Sequence, residues 1–451
     1  MWDERRWTLL VRSLALASSG AAMALFLGLF AAFFLWRLKK AGWFRAVLFF
    51  ALPLSPLTYS LLFSFKIPPH IAAALTYALQ LMPLNALAIY NGFLAVSAAE
   101  IGAARILRSD FVCLLQIVIR RNVPLMLMTG LLSTVLNLLD YSVPSLFGVS
   151  VYSLDIFAAF SATGDGWGAA VQALPIFLTS VLVLLVVFTQ LGSVWSVNPQ
   201  GNKGMPSGPP SFFTALEVIG GFVCLLPLIA IINTIMPLFT SRDIYLAAIA
   251  ASYRELGYSL MICAAAAVIG TAFAAGMGQW KGILLPFALI FAAMPPALVG
   301  IGLLYALSPF SFFDRLLPVF ALVLRFFPFA AIILHISRRL ESKEEREAAL
   351  LFARTRRDFF IHYQIPARLP ALVISAIIIF VLSLGELGAT LLVVPPGRAT
   401  LTIKLYNYLH YGSGASVSGL SFMLGGVTAF IAAAAWGVGK LSFFKRENGT
   451  E

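Results

Sequence analysis

The stretch EAALLFARTRRDFFIHYQIPARLP, residues 347–370, is charged and rich in helix-forming residues, yet it lies between two long apolar runs. Glu347, Ala348 and Ala349 begin a segment of high helix propensity. We expect Pro366 and Pro370, which follow, to interrupt or redirect the chain before the next apolar run. Because the arginines in this stretch are costly to place in hydrocarbon, the sequence predicts a short helix-turn-helix that lies outside the lipid.

The composition of the whole chain predicts an all-α integral membrane protein. Of its 451 residues, 60% are apolar and only 11% are charged, and the mean hydropathy is +0.92. A helix needs roughly 20 apolar residues to cross about 30 Å of hydrocarbon. The runs that meet this length are 12–36, 44–65, 71–93, 124–140, 170–191, 213–237, 257–278, 283–307, 316–337, 371–393 and 417–439. We therefore expect about 11 transmembrane helices.

The basic residues indicate how these helices are oriented. A formal net charge of +12 would also suit a nucleic-acid-binding protein, but the lysines and arginines concentrate in alternate loops, which is how basic residues fix membrane topology. We therefore expect no nucleic-acid partner. If residues 347–370 are cytoplasmic, the basic segments on the same side are 37–43, 94–123, 192–212, 279–282 and the tail after 439. This model places the N-terminus outside and the C-terminus inside, with Arg5 and Arg6 as exceptions to the rule.

An internal repeat divides the chain into two halves. At an offset of about 245 residues, similar short motifs recur in the same order. The matched positions are Ser13 with Ser259, Pro56 with Pro296, Pro83 with Pro328, and Asp140 with Glu386. Because the matching basic loops lie on the same side, the sequence predicts parallel repeats. The halves are 1–195 and 213–451, joined by a Pro- and Gly-rich linker at 196–212, and the second half begins with one extra helix, 213–237.

Three charged residues fall in or beside the apolar runs, where a charge is costly unless it is paired or faces water. They are Asp140, Glu386 and Arg325. One interpretation is that the two acids line a translocation path at equivalent places in the repeat, with Arg325 paired to Glu386 or another acceptor when a gate is closed. The other is a structural ion pair near the outer interface. The sequence leaves both open.

The sequence predicts no metal site. The histidines at 70, 335 and 362 are scattered, and Cys113, Cys224 and Cys263 form no ligand spacing or disulfide framework. The cluster YNYLHY at 406–411 contains phenol and imidazole groups that can bind iron. Aromatic side chains more commonly anchor a helix at the membrane interface, and we favour that interpretation.

The motif that opens at Glu347 resembles the coupling loop of the inner-membrane permeases of ATP-binding-cassette importers. That loop reads approximately E-A-A, three residues, G, nine residues, I-x-L-P. Here E-A-A occupies 347–349, Ala353 stands at the glycine position and Tyr363 at the isoleucine position, and Ile365 and Pro366 close the motif. The spacing is retained, although Ala353 replaces the glycine of the turn.

A degraded copy of this motif lies in the first half. It contains Glu100, Ala103 and Ala104, with Arg108 at the glycine position and Arg120 where the first proline belongs. We name the segment 94–123, which contains the copy, the first coupling loop. Its divergence predicts that it couples more weakly than the motif at Glu347.

The resemblance implies a function and a set of partners. We name the segment 338–370 the second coupling loop. In importers of this family such loops rest in clefts of two separate ATPase subunits, which use ATP and Mg²⁺, and an extracytoplasmic binding protein delivers the substrate. The chain itself is then not an enzyme and binds no cofactor, and it contains no G-x-x-x-x-G-K-[ST] phosphate loop. The implied location is the bacterial inner membrane.

The resemblance also bears on the substrate. Two coupling loops in one polypeptide particularly resemble the fused ferric-iron and thiamine permeases, and the segment 385–412 is most similar to the ferric-iron group. Thiamine, sulfate, molybdate, phosphonate and polyamine are alternatives. An ion-coupled secondary transporter would explain the helices and the acids but not the second coupling loop. A membrane-embedded enzyme would need clustered polar residues at one depth, and the sequence shows none.

Overall fold

A computed structural model describes residues 4–38, 41–63, 67–107, 109–194, 211–277, 284–307, 310–339 and 343–447. Every regular element within these ranges is a helix, as the sequence predicts. The predicted linker at 196–212 lies almost wholly outside the described residues, and so does the short basic loop at 279–282.

The helices are numbered in chain order. The first ten are α1 (Glu4–Arg37), α2 (Gly42–Ala51), α3 (Pro56–Ser60), α4 (Pro69–Leu94), α5 (Ala98–Leu107), α6 (Asp110–Cys113), α7 (Arg120–Leu139), α8 (Ser142–Leu146), α9 (Tyr152–Thr163) and α10 (Gly166–Val194). They are followed by α11 (Ser211–Ile235), α12 (Pro237–Thr240), α13 (Arg242–Ala250), α14 (Tyr253–Met277), α15 (Leu284–Ala293), α16 (Pro296–Leu307), α17 (Leu317–Arg339), α18 (Lys343–Phe352), α19 (Arg356–Asp358), α20 (Ile365–Leu384), α21 (Thr390–Val393), α22 (Leu401–Tyr411) and α23 (Gly414–Glu447). Short 3₁₀ turns occur at Leu61–Phe63 and Ser311–Phe313, and π-helical turns at Leu114–Ile119 and Phe359–Gln364.

The predicted membrane spans are confirmed, but two of them are not straight. Among the described residues, 9 helices are long and apolar enough to cross a bilayer, and 2 further pairs of helices would each form a span with a sharp bend. The first bent pair joins α2 to α3 at 101°, and the second joins α15 to α16 at 102°. Pro56 and Pro296 begin the second helix of each pair, and proline cannot continue a preceding helix without losing a hydrogen bond.

The chain forms two compact units. The first unit comprises Met1–Ala250 and Leu405–Gly425, and the second comprises Ala251–Lys404 and Gly426–Glu451. In the first unit α1, α4 and α7 pack against one another, and in the second unit α14, α17 and α20 do the same. Each unit is therefore built on a group of three long helices.

Small residues let α1 and α4 approach closely. A Cβ atom added to Gly28 would lie 2.8 Å from the Asn85 Cβ, which is too short for any side chain. Ala24 and Ala31 are fully buried on the same helix. In lipid, where apolar burial gives helices little reason to associate, such close backbone packing is a main source of helix association.

The extra leading helix of the second half packs within the first unit. Arg37 at the end of α1 donates from Nε to the Glu217 carboxylate of α11 at 2.5 Å. A Cβ atom on Gly220 would lie 2.6 Å from the Phe34 Cβ, so α11 lies directly against α1. In chain order α11 belongs to the second half, but it packs against α1 in the first unit. The boundary between the halves at 195–213 therefore stays a prediction.

The same type of serine-to-amide hydrogen bond and the same π-helical turn recur in both units. The Ser13 hydroxyl accepts a hydrogen bond from the Tyr152 amide at 2.8 Å, and the Ser259 hydroxyl accepts one from the Leu401 amide, also at 2.8 Å. A π-helical turn precedes α7 and another precedes α20. These recurrences support the repeat that the sequence predicts.

Candidate coupling loops and intramembrane charges

The second coupling loop begins with a helix that carries the E-A-A motif on its surface. Glu347 and Ala348 are exposed in α18, and Ala349 is partly buried. The Ala353 amide donates to the Ala349 carbonyl at 3.1 Å, which closes the last helical turn.

The end of α18 exposes two large apolar side chains. Leu351 and Phe352 are 85% and 87% exposed. They follow a markedly charged sequence, KEERE, at 343–347, so this helix is not a membrane span. An apolar end on a charged helix is a surface that another protein can cover.

A reciprocal pair of hydrogen bonds fixes the turn after α18. The Thr355 amide donates to the Asp358 carboxylate at 3.1 Å, and the Asp358 amide donates to the Thr355 hydroxyl at 3.1 Å. This capping box satisfies two backbone donors at the start of the next helix. The motif at Glu347 does not predict the role of these two residues, but the T-x-x-D spacing before an apolar run is a recognisable sequence signal for such a cap.

The closing residues of the motif lie at the entrance to the membrane helix. After the capped turn come α19 and the π-helical turn, in which the Phe359 and Tyr363 rings stack at 5.3 Å between centroids. Ile365 and Pro366 are the first residues of α20 and are exposed. The chain is not redirected at Pro366 as the sequence predicts, because Gln364 is itself in the α-helical region and the π-helical turn runs directly into α20.

The first coupling loop has the same order of elements with different contacts. Glu100 and Ala103 are exposed in α5, and Ala104 is partly buried. Arg105 donates from Nε and Nη2 to the two carboxylate oxygens of Asp110 at 2.6 and 3.1 Å. This hydrogen bond raises the pKa of the Arg105 guanidinium above its ordinary value. The bidentate pair joins α5 to α6, whereas the capping box of the second loop lies wholly at the start of α19.

The leading glutamates of the two loops have different surroundings. Glu100 accepts a hydrogen bond from Arg121 at 2.6 Å, which ties α5 to the first turn of α7. In the part of the chain that the structure describes, Glu347 has no corresponding ion pair and its side chain faces solvent. The first loop is therefore held by contacts within the chain, while Glu347 remains available to a partner.

Asp140 closes α7 and starts the next helix. Its carboxylate accepts hydrogen bonds from the Ser142 amide at 3.2 Å, the Ser142 hydroxyl at 2.7 Å, the Val143 amide at 3.1 Å and the Tyr77 hydroxyl at 3.0 Å. Four donors compensate the charge of a half-buried carboxylate, because a hydrogen-bonded charge costs far less to bury. These contacts favour the structural interpretation for Asp140.

In the second unit, Arg325 and the segment that follows Glu386 both lie at the bend between α15 and α16. The Glu386 carboxylate accepts the Ala389 amide at 2.8 Å, so it caps the turn that leads into α21, as Asp140 does for α8. Arg325 in α17 donates to the Met294 carbonyl at 3.0 Å, at the break between α15 and α16. A Cβ atom on Gly388 would lie 2.7 Å from the Pro296 Cβ. The structure thus brings the segment after Glu386 and the Arg325 side chain to one bend.

The aromatic cluster at 406–411 lies on α22. The Tyr406 hydroxyl is 3.0 Å from the Ser145 hydroxyl, and the Tyr406 ring meets the His410 ring edge to face at 4.6 Å. Among the described residues, no three His, Cys, Asp or Glu side chains are grouped closely enough to hold a metal ion.

Comparison with known proteins gives one informative similarity. No protein family model matches the chain. Over 148 residues, the chain is 28% identical to the 2-aminoethylphosphonate transport system permease protein PhnV of Salmonella paratyphi A, a match that covers 31% of this chain and 54% of that relative. The chain is a distant relative of this permease. Together with the membrane helices, the similarity confirms the resemblance to a permease that the sequence predicts. The chain spans about half the length of this curated relative.

Proposed function

We propose that this chain is the permease subunit of an ATP-driven importer, and that each coupling loop contacts a separate ATPase subunit. The observation that carries the proposal is the second coupling loop, where a capped helix-turn element presents Glu347, Leu351 and Phe352 to solvent. The first coupling loop occupies the same place in the repeat and ends α5 with an exposed Ile106. ATP-driven movement of the two partners then reaches the membrane helices through α7 and α20.

The physical basis of the contact is an apolar tip flanked by charges. Leu351 and Phe352 would gain free energy from burial in a groove, at about 25 cal/mol for each Å² of apolar surface removed from water. Glu347 would then supply a charge-assisted hydrogen bond to a basic partner group. Aromatic anchors of this kind commonly contribute much of the affinity of an interface.

Copurification with the ATPase subunit tests the proposal. We expect Phe352→Asp to lower the amount of ATPase recovered with the permease by roughly tenfold, which corresponds to about 1.4 kcal/mol. The matched control is Phe312→Asp, because Phe312 is 80% exposed in a segment that the predicted topology places on the opposite side. Full ATPase recovery with Phe352→Asp, or an equal loss with both variants, would contradict the contact.

For the substrate, we propose ferric iron delivered by an extracytoplasmic binding protein. The support is the resemblance of residues 385–412 to the ferric-iron permeases. The test is uptake of radioactive ferric iron by proteoliposomes that contain the permease and its ATPase, with the binding protein supplied outside. Uptake that needs no ATP would instead indicate an ion-coupled secondary transporter.

An organophosphonate is the second candidate substrate. The similarity to a permease named for 2-aminoethylphosphonate transport favours it. The same proteoliposomes distinguish the two, since ATP-dependent uptake of 2-aminoethylphosphonate without uptake of iron would replace the first assignment. Thiamine, sulfate, molybdate and polyamine are the remaining solutes to assay.

A further inference from the structure

The first turns of α1 extend beyond the hydrocarbon of the membrane. A helix of 34 residues is about 51 Å long at 1.5 Å per residue, whereas the hydrocarbon is about 30 Å thick. Near the start of α1, Trp7 is 54% exposed and Val11 is 61% exposed. Tryptophan is enriched where a helix meets the lipid headgroups. The segment from Glu4 to Arg12 carries the charges at this end of the helix, so we expect it to lie at headgroup level.

This segment also contains an arginine-lined cavity. Arg5, Thr8, Leu9 and Arg12 lie on one face of α1, at the helical spacing that makes them neighbours. Together with Ser150, from the loop that precedes α9, they line a shallow, open cavity of about 310 Å³. None of the described residues that line it is acidic, so within the described part of the chain the cavity presents two guanidinium groups and no carboxylate.

Arg5, which lines the cavity, contacts an acidic residue outside it. Gln172 donates to the Asp155 carboxylate at 2.7 Å, and the other Asp155 oxygen accepts from Arg5 at 3.4 Å. The Arg5 side chain is still 78% exposed, and a guanidinium has five N–H donors. This long contact occupies one of the Arg5 donors, so the other donors remain for a ligand.

We propose that this cavity binds a phosphate-type oxyanion at the membrane surface. Arginine matches phosphate oxygens with parallel N–H donors, and the Ser150 hydroxyl can add a further donor. At headgroup level the most concentrated such group is the phosphate of an anionic phospholipid, and a soluble phosphate or phosphonate has the same chemistry. The site also gives a physical reason for arginines on the side where the topology rule disfavours them.

Lipid retention measured by native mass spectrometry tests the site. The full chain is reconstituted in nanodiscs of phosphatidylcholine with phosphatidylglycerol, and bound phosphatidylglycerol is counted after release. We expect the double variant Arg5→Gln/Arg12→Gln to retain roughly tenfold less phosphatidylglycerol, because two charge-assisted contacts are lost. The control is Arg242→Gln, which removes an exposed arginine at the start of α13. Equal retention by the double variant and the unchanged chain would overturn the site.

Two further measurements identify the source of the anion and guard against misfolding. In nanodiscs of phosphatidylcholine alone, thermal stabilisation by inorganic phosphate that is lost in the double variant would assign the site to soluble anions. Phosphatidylglycerol retention that excess phosphate does not reduce would assign it to lipid. If the glutamine variant does not fold, Arg5→Lys/Arg12→Lys keeps the charges, and we expect reduced retention because lysine lacks the fork of donors. Unchanged retention by a folded lysine variant would contradict specific recognition by arginine.

Discussion

At the scale of single residues, the two coupling loops differ most in their leading glutamates. Glu100 forms an ion pair with Arg121 inside the chain, whereas Glu347 faces solvent in the described part of its loop. An exposed ion pair of this kind contributes only about 0.2–1 kcal/mol. Reversing the charge of Glu100 should therefore disturb the first loop locally, while reversing Glu347 acts on a proposed interface.

We predict that Glu347→Lys lowers transport by roughly tenfold or more, because a wrong charge at an interface costs at least about 1.4 kcal/mol. Glu100→Lys should lower it less than about threefold. The second change Arg121→Glu should restore the Glu100→Lys variant, since it rebuilds the ion pair with reversed signs. Uptake rates at equal membrane abundance provide the measurement. Equal losses from the two single variants would show that the divergence of the loops has no functional consequence.

Substitutions of Asp140 and Glu386, the acids that follow α7 and α20, distinguish a role in capping the next turn from a role of the negative charge. Asp140→Ala removes the acceptor for two backbone amides, so we expect a loss of about 2–4 kcal/mol in stability. Glu386→Gln keeps an oxygen that can accept the Ala389 amide and removes only the charge. We predict that this variant folds normally but transports poorly if Glu386 belongs to a gate.

The measurements for these acids are thermal unfolding in detergent and uptake in proteoliposomes. Asp140→Asn is the control for size, and it should recover part of the stability lost in Asp140→Ala because its amide oxygen still accepts one amide. Normal, binding-protein-dependent uptake by Glu386→Gln would leave Glu386 with only its capping role.

At the scale of elements, each coupling loop contains a π-helical turn that leads into a membrane helix. Leu114–Ile119 leads into α7, and Phe359–Gln364 leads into α20. A π-helical turn accommodates one extra residue in a helix and is frequent at functional positions. Because it occurs at both loops, we infer that it gives each loop a point at which it can pivot on its membrane helix.

We predict that deleting Ile361 preserves folding but weakens the coupling of ATP hydrolysis to transport. The deletion lets the turn become an ordinary α-helix without changing the packing on either side. The matched control deletes Ile374, which is exposed to a similar extent but lies within the α-helical part of α20. Loss of that residue rotates the preceding segment by about 100° and should prevent folding. The ratio of ATP hydrolysed to substrate transported is the measurement, and an unchanged ratio after deletion of Ile361 would refute the pivot.

At the scale of the whole molecule, hydropathy predicts where the apolar runs lie, but not whether each run forms one straight helix or two helices joined by a bend. The runs at 44–65 and 283–307 are as apolar as the others, and only their internal prolines hinted that the chain turns by about a right angle there. The partner of α11 was also beyond prediction, because a uniformly apolar helix does not encode which neighbour it packs against. The repeat and the spacing of the E-A-A motif were readable because both depend on the order of residues along the chain.

The candidate site shows the same limit. The positions of Glu100 and Glu347 follow from the motif, but the ion pair between Glu100 and Arg121 joins residues on two helices and depends on how the intervening turn folds. The caps made by Asp140 and Glu386 are local, and each carboxylate accepts an amide three residues further on. A search for side chains that cap the following turn could therefore have found them in the sequence.

The membrane topology of α20 can be tested directly. We predict that Leu351 is cytoplasmic and that Pro396, beyond the other end of α20, is outside, because basic residues concentrate on the side of the coupling loops. Both positions are exposed, and the native cysteines Cys113, Cys224 and Cys263 are buried, so background labelling should be low. An impermeant maleimide should label Pro396→Cys in intact spheroplasts and Leu351→Cys only after permeabilisation. The reverse pattern would invert α20 and remove the ATPase contact proposed for the second coupling loop, since ATP is hydrolysed in the cytoplasm.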